Sequence, residues 1–474
     1  MVSGGFGEHR CSVVGNVVRQ AVPNCIAQIA QQLTYTTTII FVAHLHDDDE
    51  LAAVGIGTML SNVFGLSIGV GLNSGLDTLV SQSCGAGSHV QSGVYLHRAV
   101  VVSTLACFPV SIFLCFTKPF LVFLGQDSHV SALAGNLIHG TLLSMWALFI
   151  SNALLAFLRA QRLPNISMCV IWFSNMLHVC NCYLFIARWR MGNFGAGLAL
   201  SVTNWVTLGI CFSCVHVFRP GLTKHSWVPW NCRRAISNLR SFLNVSLPTA
   251  FAIWAEWWCA ELMTLLAGLL GPTPLAAHTA ALNVFAILYA ISGGLQSAAS
   301  TLVGNAVGAE DVEQARRSAF VSCAVMAGLL VGTTTLAMLF RDPIATLLSG
   351  TAAVKNQVLE VFPVMLLMTA LDSMQTTIDG ILRGLGKQAL VFKIKICCMW
   401  MIRMPSACLG VFVLRGGIRG LWWASSSGMA ATMLIYVNLF WRMNWQDEVH
   451  RASTQRRQRD SLEIGPVDVC ATHS

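Results

Sequence analysis

The stretch Thr78-Leu79-Val80, followed by Gly85-Ala86, returns later in the chain as Thr301-Leu302-Val303 and Gly308-Ala309. Working outward, Leu51-Ala52-Ala53 is answered by Leu275-Ala276-Ala277, Pro119 by Pro343, and Leu158-Arg159 by Leu382-Arg383. The offset holds at 223 to 224 residues, so the chain reads as a duplication, with six apolar spans in residues 16–218 and six in 243–442. An even number of spans per repeat gives both halves the same orientation in a bilayer, related by a pseudo-two-fold axis along the membrane normal. Such a pair encloses a cleft at the midplane, which is how transporters are built.

Composition agrees with a membrane protein. The 474 residues are 55% hydrophobic and only 11% charged, with mean hydropathy +0.63, too apolar for a soluble chain of this size. A hydrocarbon core of ~30 Å takes helices of roughly 20 apolar residues. The spans centre near residues 32, 65, 108, 146, 176, 206, 257, 290, 329, 371, 402 and 430. Runs of this length exclude barrel strands. The expected fold is therefore all-α and polytopic, with twelve transmembrane helices in two pseudo-symmetric six-helix lobes.

The net charge of +8 follows topology and does not call for nucleic acid. Arg98, Arg159, Arg162, Arg219, Lys224, Arg233, Arg234, Arg240, Arg316, Arg317, Arg383 and Lys387 fall in loops that are cytoplasmic if the N-terminus is inside. The opposite loops hold the smaller set Lys118, Arg188, Arg190, Arg341, Lys355, Arg415 and Arg419. That bias places both termini in the cytoplasm, with the plasma membrane or an endomembrane such as the vacuole as the site. Residues 1–15 read as a polar cytoplasmic tail without the apolar core of a signal peptide. Residues 219–242, basic and carrying Trp227 and Trp230, read as an interlobe linker on the cytoplasmic surface. Residues 443–474 read as a flexible tail.

Several motifs carry no chemistry. The 17 Cys residues sit mostly inside spans and lack metal spacing, so they read as reduced, space-filling thiols. Gly65-Leu66-Ser67-Ile68-Gly69 matches a hydrolase pattern without its strand-turn-helix context. Gly65/Gly69 and Gly71/Gly75 have the spacing that lets helices approach closely. Pro23, Pro109, Pro248, Pro363 and Pro405 should kink their spans beside a cavity. His46-Asp47-Asp48-Asp49-Glu50 precedes a span and reads as a helix cap.

An ionisable residue inside a span costs roughly 2.5 to 3.5 kcal/mol on insertion scales, so each marks a candidate site. In the tenth span Asp372, Gln375, Thr376 and Asp379 fall at i, i+3, i+4 and i+7, one polar stripe that must face protein or water. The seventh span reads Trp254-Ala255-Glu256-Trp257-Trp258-Cys259-Ala260-Glu261. Trp254 and Glu261 share a face flanked by Trp257 and Trp258, where a carboxylate beside indoles suits an organic cation. Glu256 points about 140° away toward small residues, where burial makes a carboxyl titrate nearer neutrality. Arg403 is a candidate charge partner for these acids. Asp77, replaced by Ser300 in the second repeat, is an N-lobe candidate that serves equally as a tether. Gln28, Gln32 and Tyr35 give the first span a polar face toward the cleft.

These phrases resemble the eukaryotic branch of the MATE (multidrug and toxic compound extrusion) family. The likeness is carried by Gly75-Leu76-Asp77-Thr78-Leu79 with Gln82 and Gly85-Ala86-Gly87, by Tyr95-Leu96-His97-Arg98-Ala99, by Gly125-Gln126-Asp127 and by Leu158-Arg159-Ala160-Gln161. In the second half it is carried by Leu247-Pro248-Thr249-Ala250 with Glu256-Trp257-Trp258 and Glu261, by Ala298-Ala299-Ser300-Thr301 with Val303-Gly304-Asn305, and by Gly380-Ile381-Leu382-Arg383-Gly384. The resemblance implies a V of two lobes, alternating access, and export of organic compounds in exchange for H⁺ or Na⁺, with H⁺ usual in this branch. It implies roles in the cation or substrate path for Glu256, Glu261 and Asp372. Asn283 stands where some animal members carry a glutamate, and Met399, Trp400 and Arg403 depart from the usual eleventh span. The expectation is a proton-coupled exporter of organic compounds, cationic by family habit, monomeric in the bilayer and without cofactor, metal or nucleic-acid partner. Coupling falls to Glu256, Asp372 and Asp379, and substrate contact to Glu261, Trp254, Trp257, Gln375, Gln28, Gln32, Tyr35 and Asn283. The rivals are a membrane enzyme, for which no triad or metal cluster is present in the sequence, and a lipid-precursor flippase or organic-anion transporter on the same scaffold. The basic residues Lys393, Lys395 and Arg403 keep the latter pair open.

Overall fold

A computed structural model describes residues 5–45, 47–218 and 223–461. Its long helices follow the duplicated pattern. In the first half they are α1 (Gly5–Ala43), α2 (Asp49–Gly85), α3 (His89–Cys115), α4 (Ser128–Leu142 continuing as Met145–Ala160), α5 (Pro164–Arg188) and α6 (Gly192–Val217). In the second half they are α7 (Leu239–Leu269), α8 (Pro272–Gly308), α9 (Val312–Leu339), α10 (Ala352–Gly384), α11 (Gln388–Val413) and α12 (Gly417–Arg442). Nine of the twelve are long and apolar enough to cross a membrane singly, and the two pieces of α4 make a tenth span. α1 and α12 have the length, but Gln, Asn, Ser and Thr residues dilute their apolar content. Even the short helices repeat: Thr117–Phe123 follows α3 as Arg341–Leu348 follows α9.

Each lobe has its own core. Leu79, Tyr95, Phe157 and Leu158 centre the first, and Val361, Phe362, Met365 and Trp422 the second. Two helices cross between them. The early part of α7 packs into the N-lobe core through Phe242, Val245 and Ala250, and its later part packs in the C-lobe through Cys259, Met263 and Ala267. Val17 and Ala21 of α1 likewise pack against Leu295, Ala298 and Leu302 of α8. Glu256 therefore stands where α7 passes from one lobe's packing to the other's.

The lobes meet at the end where the interlobe linker lies. There Thr78 Oγ1 donates to the Arg383 carbonyl (2.9 Å), Gln82 Nε2 to the Gly384 carbonyl (2.9 Å), and Gln388 Nε2 to Thr78 Oγ1 (2.7 Å). The close approach anticipated for the glycines of α2 occurs here: a methyl group at Gly75 would lie 2.0 Å from Ser246 Oγ of α7, and one at Gly85 2.0 Å from the Asn305 carbonyl of α8. Farther out, Phe64 of α2 still meets Trp258 of α7 edge-on at 5.3 Å. Beyond it the outer half of α2 packs on N-lobe neighbours, chiefly the first piece of α4.

Several sequence expectations need correction. Pro23, Pro109, Pro248 and Pro363 do not interrupt their helices, which run on through them, and the break in α4, a 55° bend, has no proline. Ser144 stands at that break, and its hydroxyl accepts from Ser201 and Asn204 of α6 (3.0 Å each), partners that hold the bend in place. Pro405 of α11 is flanked by wider π-type turns at Cys397–Arg403 and Leu409–Val413. Asp47 does cap the next helix, accepting from Asp49 N (3.0 Å) and Glu50 N (3.2 Å), while His46 lies outside the described residues. The N-terminal tail is shorter than 1–15, since α1 begins at Gly5. The linker carries short helices at Thr223–Ser226 and Cys232–Ile236 and ends where α7 starts, at Leu239; residues 219–222 are outside the described set.

The largest correction is the C-terminal segment. Instead of a flexible tail from 443, Trp445–Ser461 forms helix α13, whose Trp445, Val449 and Ala452 are buried against α8, α9 and α10. Its far end reaches the other lobe: Arg459 donates to Gln82 Oε1 (2.9 Å) and Asp460 accepts from Tyr95 Oη (3.4 Å). Residues 462–474 lie outside the described residues.

Candidate functional site

The polar stripe of α10 turns inward. Asp372, Gln375, Thr376 and Asp379 are all at most 1% exposed, so their cost is met by partners inside the C-lobe. The principal partner is Lys395 of α11. Its ammonium lies 2.7 Å from Glu256 Oε2 of α7 and 2.7 Å from Asp379 Oδ2 of α10. The side chains of Lys395, Glu256 and Asp379 are 4%, 18% and 0% exposed. Tyr436 of α12 donates a short hydrogen bond to the other oxygen of Asp379. One lysine and one carboxylate thus tie α7, α10, α11 and α12 together.

Arg403, the candidate charge partner, makes no ion pair with the acids among the described residues, although its charge is felt at Asp372. One turn of α helix rises 5.4 Å, so Arg403, eight residues beyond Lys395, stands about 12 Å farther along the lobe. Its Nη2 donates to Ser425 Oγ (3.3 Å), its Nη1 lies 3.8 Å from Met399 Sδ, and its buried Nε has no partner. The structure gives the acid-pairing position to Lys395. A lysine seven residues into an apolar span was the available signal, since Asp379 lies five residues from the adjoining end of antiparallel α10.

The remaining candidates divide among three places. Within the C-lobe, Asp372 accepts from Gln375 Nε2 (2.6 Å), and that amide also approaches Met429 Sδ (2.8 Å). On α7, Glu261 is half-buried without a paired cation, and Trp254 and Trp257 are half-buried; Trp254 meets Trp258 edge-on at 5.8 Å. Asn283 of α8 and Gln28 and Gln32 of α1 are exposed, with Gln28 beside Gly293 of α8.

Tyr35 goes elsewhere, and this splits the polar face expected of α1. It lines a cavity of about 110 Å³ inside the N-lobe with Gln31, Thr34, Asn62, Asn152 and Asn204. That cavity's lining contains no Asp, Glu, Lys or Arg. Asp77 is not in it: it lies at the interlobe seam, in the field of Arg159 and Arg383, with Oδ1 unpartnered. The N-lobe cavity therefore presents neutral hydrogen-bonding groups, whereas the C-lobe interior holds the cluster of Lys395, Glu256 and Asp379. Among the described residues no group of His, Cys, Asp and Glu is placed to hold a metal ion.

Comparison with known proteins accords with the duplicated fold. The family model described as MatE matches residues 23–184 and 248–409, one match in each half. The chain is 29% identical to Protein DETOXIFICATION 16 of Arabidopsis thaliana, covering 94% of this chain and 91% of that one. It is 27% identical to human Multidrug and toxin extrusion protein 1, over 94% of this chain and 77% of the relative. The fold matches the crystal structure of the eukaryotic MATE transporter AtDTX14 with TM-score 0.88 and 23% identity, over 94% of this chain and 99% of that one.

Proposed function

The chain belongs to the MatE family, and from that premise we propose that it is a secondary active antiporter, exporting small organic compounds in exchange for protons by alternating access. The names of its relatives, which speak of detoxification and of multidrug and toxin extrusion, support export of organic molecules. One chain holds both lobes, so a monomer contains the whole path. The bias of basic residues supports a cytoplasmic position for the linker end.

The observation that carries the coupling ion is the ammonium of Lys395 held between two carboxylates. A proton added to Glu256 removes one of the two anions that hold Lys395. The tie between α7 and α11 then weakens while Asp379 keeps the lysine on the α10 side. Because α7 packs into both lobes, a shift of α7 at Glu256 is felt at its contact with α2, where the lobes are closed. Glu256 is the least buried member of the group, at 18% exposed, which supports it as the entry point for the proton. One pH unit supplies about 1.4 kcal/mol per proton, enough for tenfold accumulation at one-to-one exchange.

The test is uptake of a panel of organic solutes into proteoliposomes under an imposed pH gradient, for wild type and Glu256→Gln. Wild type should accumulate substrate only with the gradient, and the variant should lose gradient-driven uptake while retaining exchange of substrate for substrate. Uptake indifferent to pH but dependent on Na⁺ would keep the fold and replace the ion.

A further inference from the structure

The interior of the C-lobe holds its own cations, and their placement bears on what the site can accept. Two of its acids, Glu256 and Asp379, already share Lys395 at 2.7 Å each. An incoming organic cation would have to compete with an ammonium fixed inside the lobe at an effective concentration no free solute reaches. A second cation, Arg403, is 5% exposed and makes no ion pair among the described residues, its charge reaching Asp372 without contact. Its contacts are a hydroxyl and a thioether, and its Nε–H is unpartnered. Trp422, one turn before Ser425 on α12, is 2% exposed with its indole N–H also unpartnered. On the α7 side, the charge of Arg403 is felt at Cys259, between Glu256 and Glu261. Buried donors on a fixed cation are costly when left unmade, and they discriminate strongly for a ligand that completes them.

We propose that this site takes carboxylate-bearing organic substrates, zwitterions foremost, with the substrate carboxylate received by the Arg403 guanidinium and the Trp422 indole N–H. A planar guanidinium suits a carboxylate bidentately, which an ammonium does not. Binding draws the guanidinium from Ser425, whose hydroxyl is the weaker acceptor. The substrate's cationic end, where it has one, is left for Glu261, since Asp372 already lies in the field of Lys395 and Arg403. A simple organic cation meets two positive side chains instead, a like-charge penalty that works against it. This assignment rests on the antiport reading and names the substrate class for it.

The experiment uses aromatic probes of matched size in proteoliposomes: an aryl trimethylammonium, the corresponding aryl betaine and the aryl carboxylate. Counterflow without a pH gradient reads selectivity, and gradient-driven uptake reads coupling, so failure of one does not mimic failure of the other. Wild type should exchange the betaine and the carboxylate roughly tenfold faster than the trimethylammonium, the scale of one charge-assisted hydrogen bond. Arg403→Gln should remove that preference, Arg403→Lys should retain part of it, and Lys395→Asn should raise exchange of the trimethylammonium. Thermal unfolding of each variant separates misfolding from altered selectivity. A wild type that exchanges the trimethylammonium fastest overturns the proposal, as does a folded Arg403→Gln variant with undiminished betaine exchange.

Discussion

Lys395 is the residue on which the C-lobe's electrostatics turn. Removing one partner of a buried ion pair strands the others, at a cost of about 3 to 5 kcal/mol. Lys395→Met should therefore lower stability by that order at neutral pH, and Lys395→Met combined with Asp379→Asn should recover part of the loss. Thermal unfolding in detergent micelles measures both, and a Lys395→Met protein as stable as wild type would refute the shared-lysine account. The stripe Asp372 to Asp379 was legible in the sequence because helical period alone puts those residues on one face. The choice between Lys395 and Arg403 was not, because both sit in one span and hydropathy carries no depth. Counting inward from Gly384 and Gln388, the facing ends of antiparallel helices, brings Lys395 level with Asp379 and leaves Arg403 too far along.

At the scale of elements, α13 shows how average composition hides a helix face. Its sequence is dominated by charge, yet Trp445, Val449, Ala452 and Arg456 fall at i, i+4, i+7 and i+11, a sparse stripe that faces the C-lobe. Arg456 donates to the Gly308 carbonyl (3.0 Å), Arg457 binds Glu310, and Lys387 pairs with Glu448 (2.6 Å), so the helix is fastened both to the end of α8 and to the turn before α11. Its tip touches the N-lobe at Gln82 and Tyr95, which makes it a strap across the closed seam. Burial pushes the Asp460 carboxyl above its usual range, against the opposing pull of Arg456 and Arg459. A carboxyl whose pKa is higher when docked than when free favours docking below the ordinary Asp range, and that contribution is lost as pH rises through the raised value. Amide exchange in α13 should therefore be slower at mildly acidic pH than at neutral pH after correction for intrinsic rates, and Asp460→Asn should flatten the difference. An α13 whose protection is the same at both pH values would show that Asp460 has no part in docking.

For the whole molecule, the duplication was readable from the sequence because equivalent residues recur at a constant offset, and twelve spans follow from it. Which end of the V is closed was not readable, because it depends on small residues that serve equally for packing within a lobe. Gly65 and Gly69 face Met145 and Phe149 of their own lobe, whereas Gly71 and Gly75 face Ala250 and Ser246 across the seam. At Gly75 a methyl group already meets Ser246 Oγ at 2.0 Å and the Ser246 Cα at 3.2 Å, so a side chain the size of leucine cannot enter the closed seam without a shift of α7. A side chain there should therefore destabilise the closed state selectively, and overpacking of this kind costs about 1 to 3 kcal/mol. That corresponds to roughly a 5- to 150-fold change in the balance between closed and open seams. Cys25 is a native reporter, since its thiol donates to the Ile291 carbonyl (3.2 Å) where α1 crosses onto α8. In Gly75→Leu, maleimide modification of Cys25, followed by peptide mass spectrometry in micelles, should accelerate by a factor in that range, while Gly65→Ala, within one lobe, should leave it near the wild-type rate. If Cys25 reacts no faster in a folded Gly75→Leu protein, the α2–α7 contact is packing alone and the seam opens by another route.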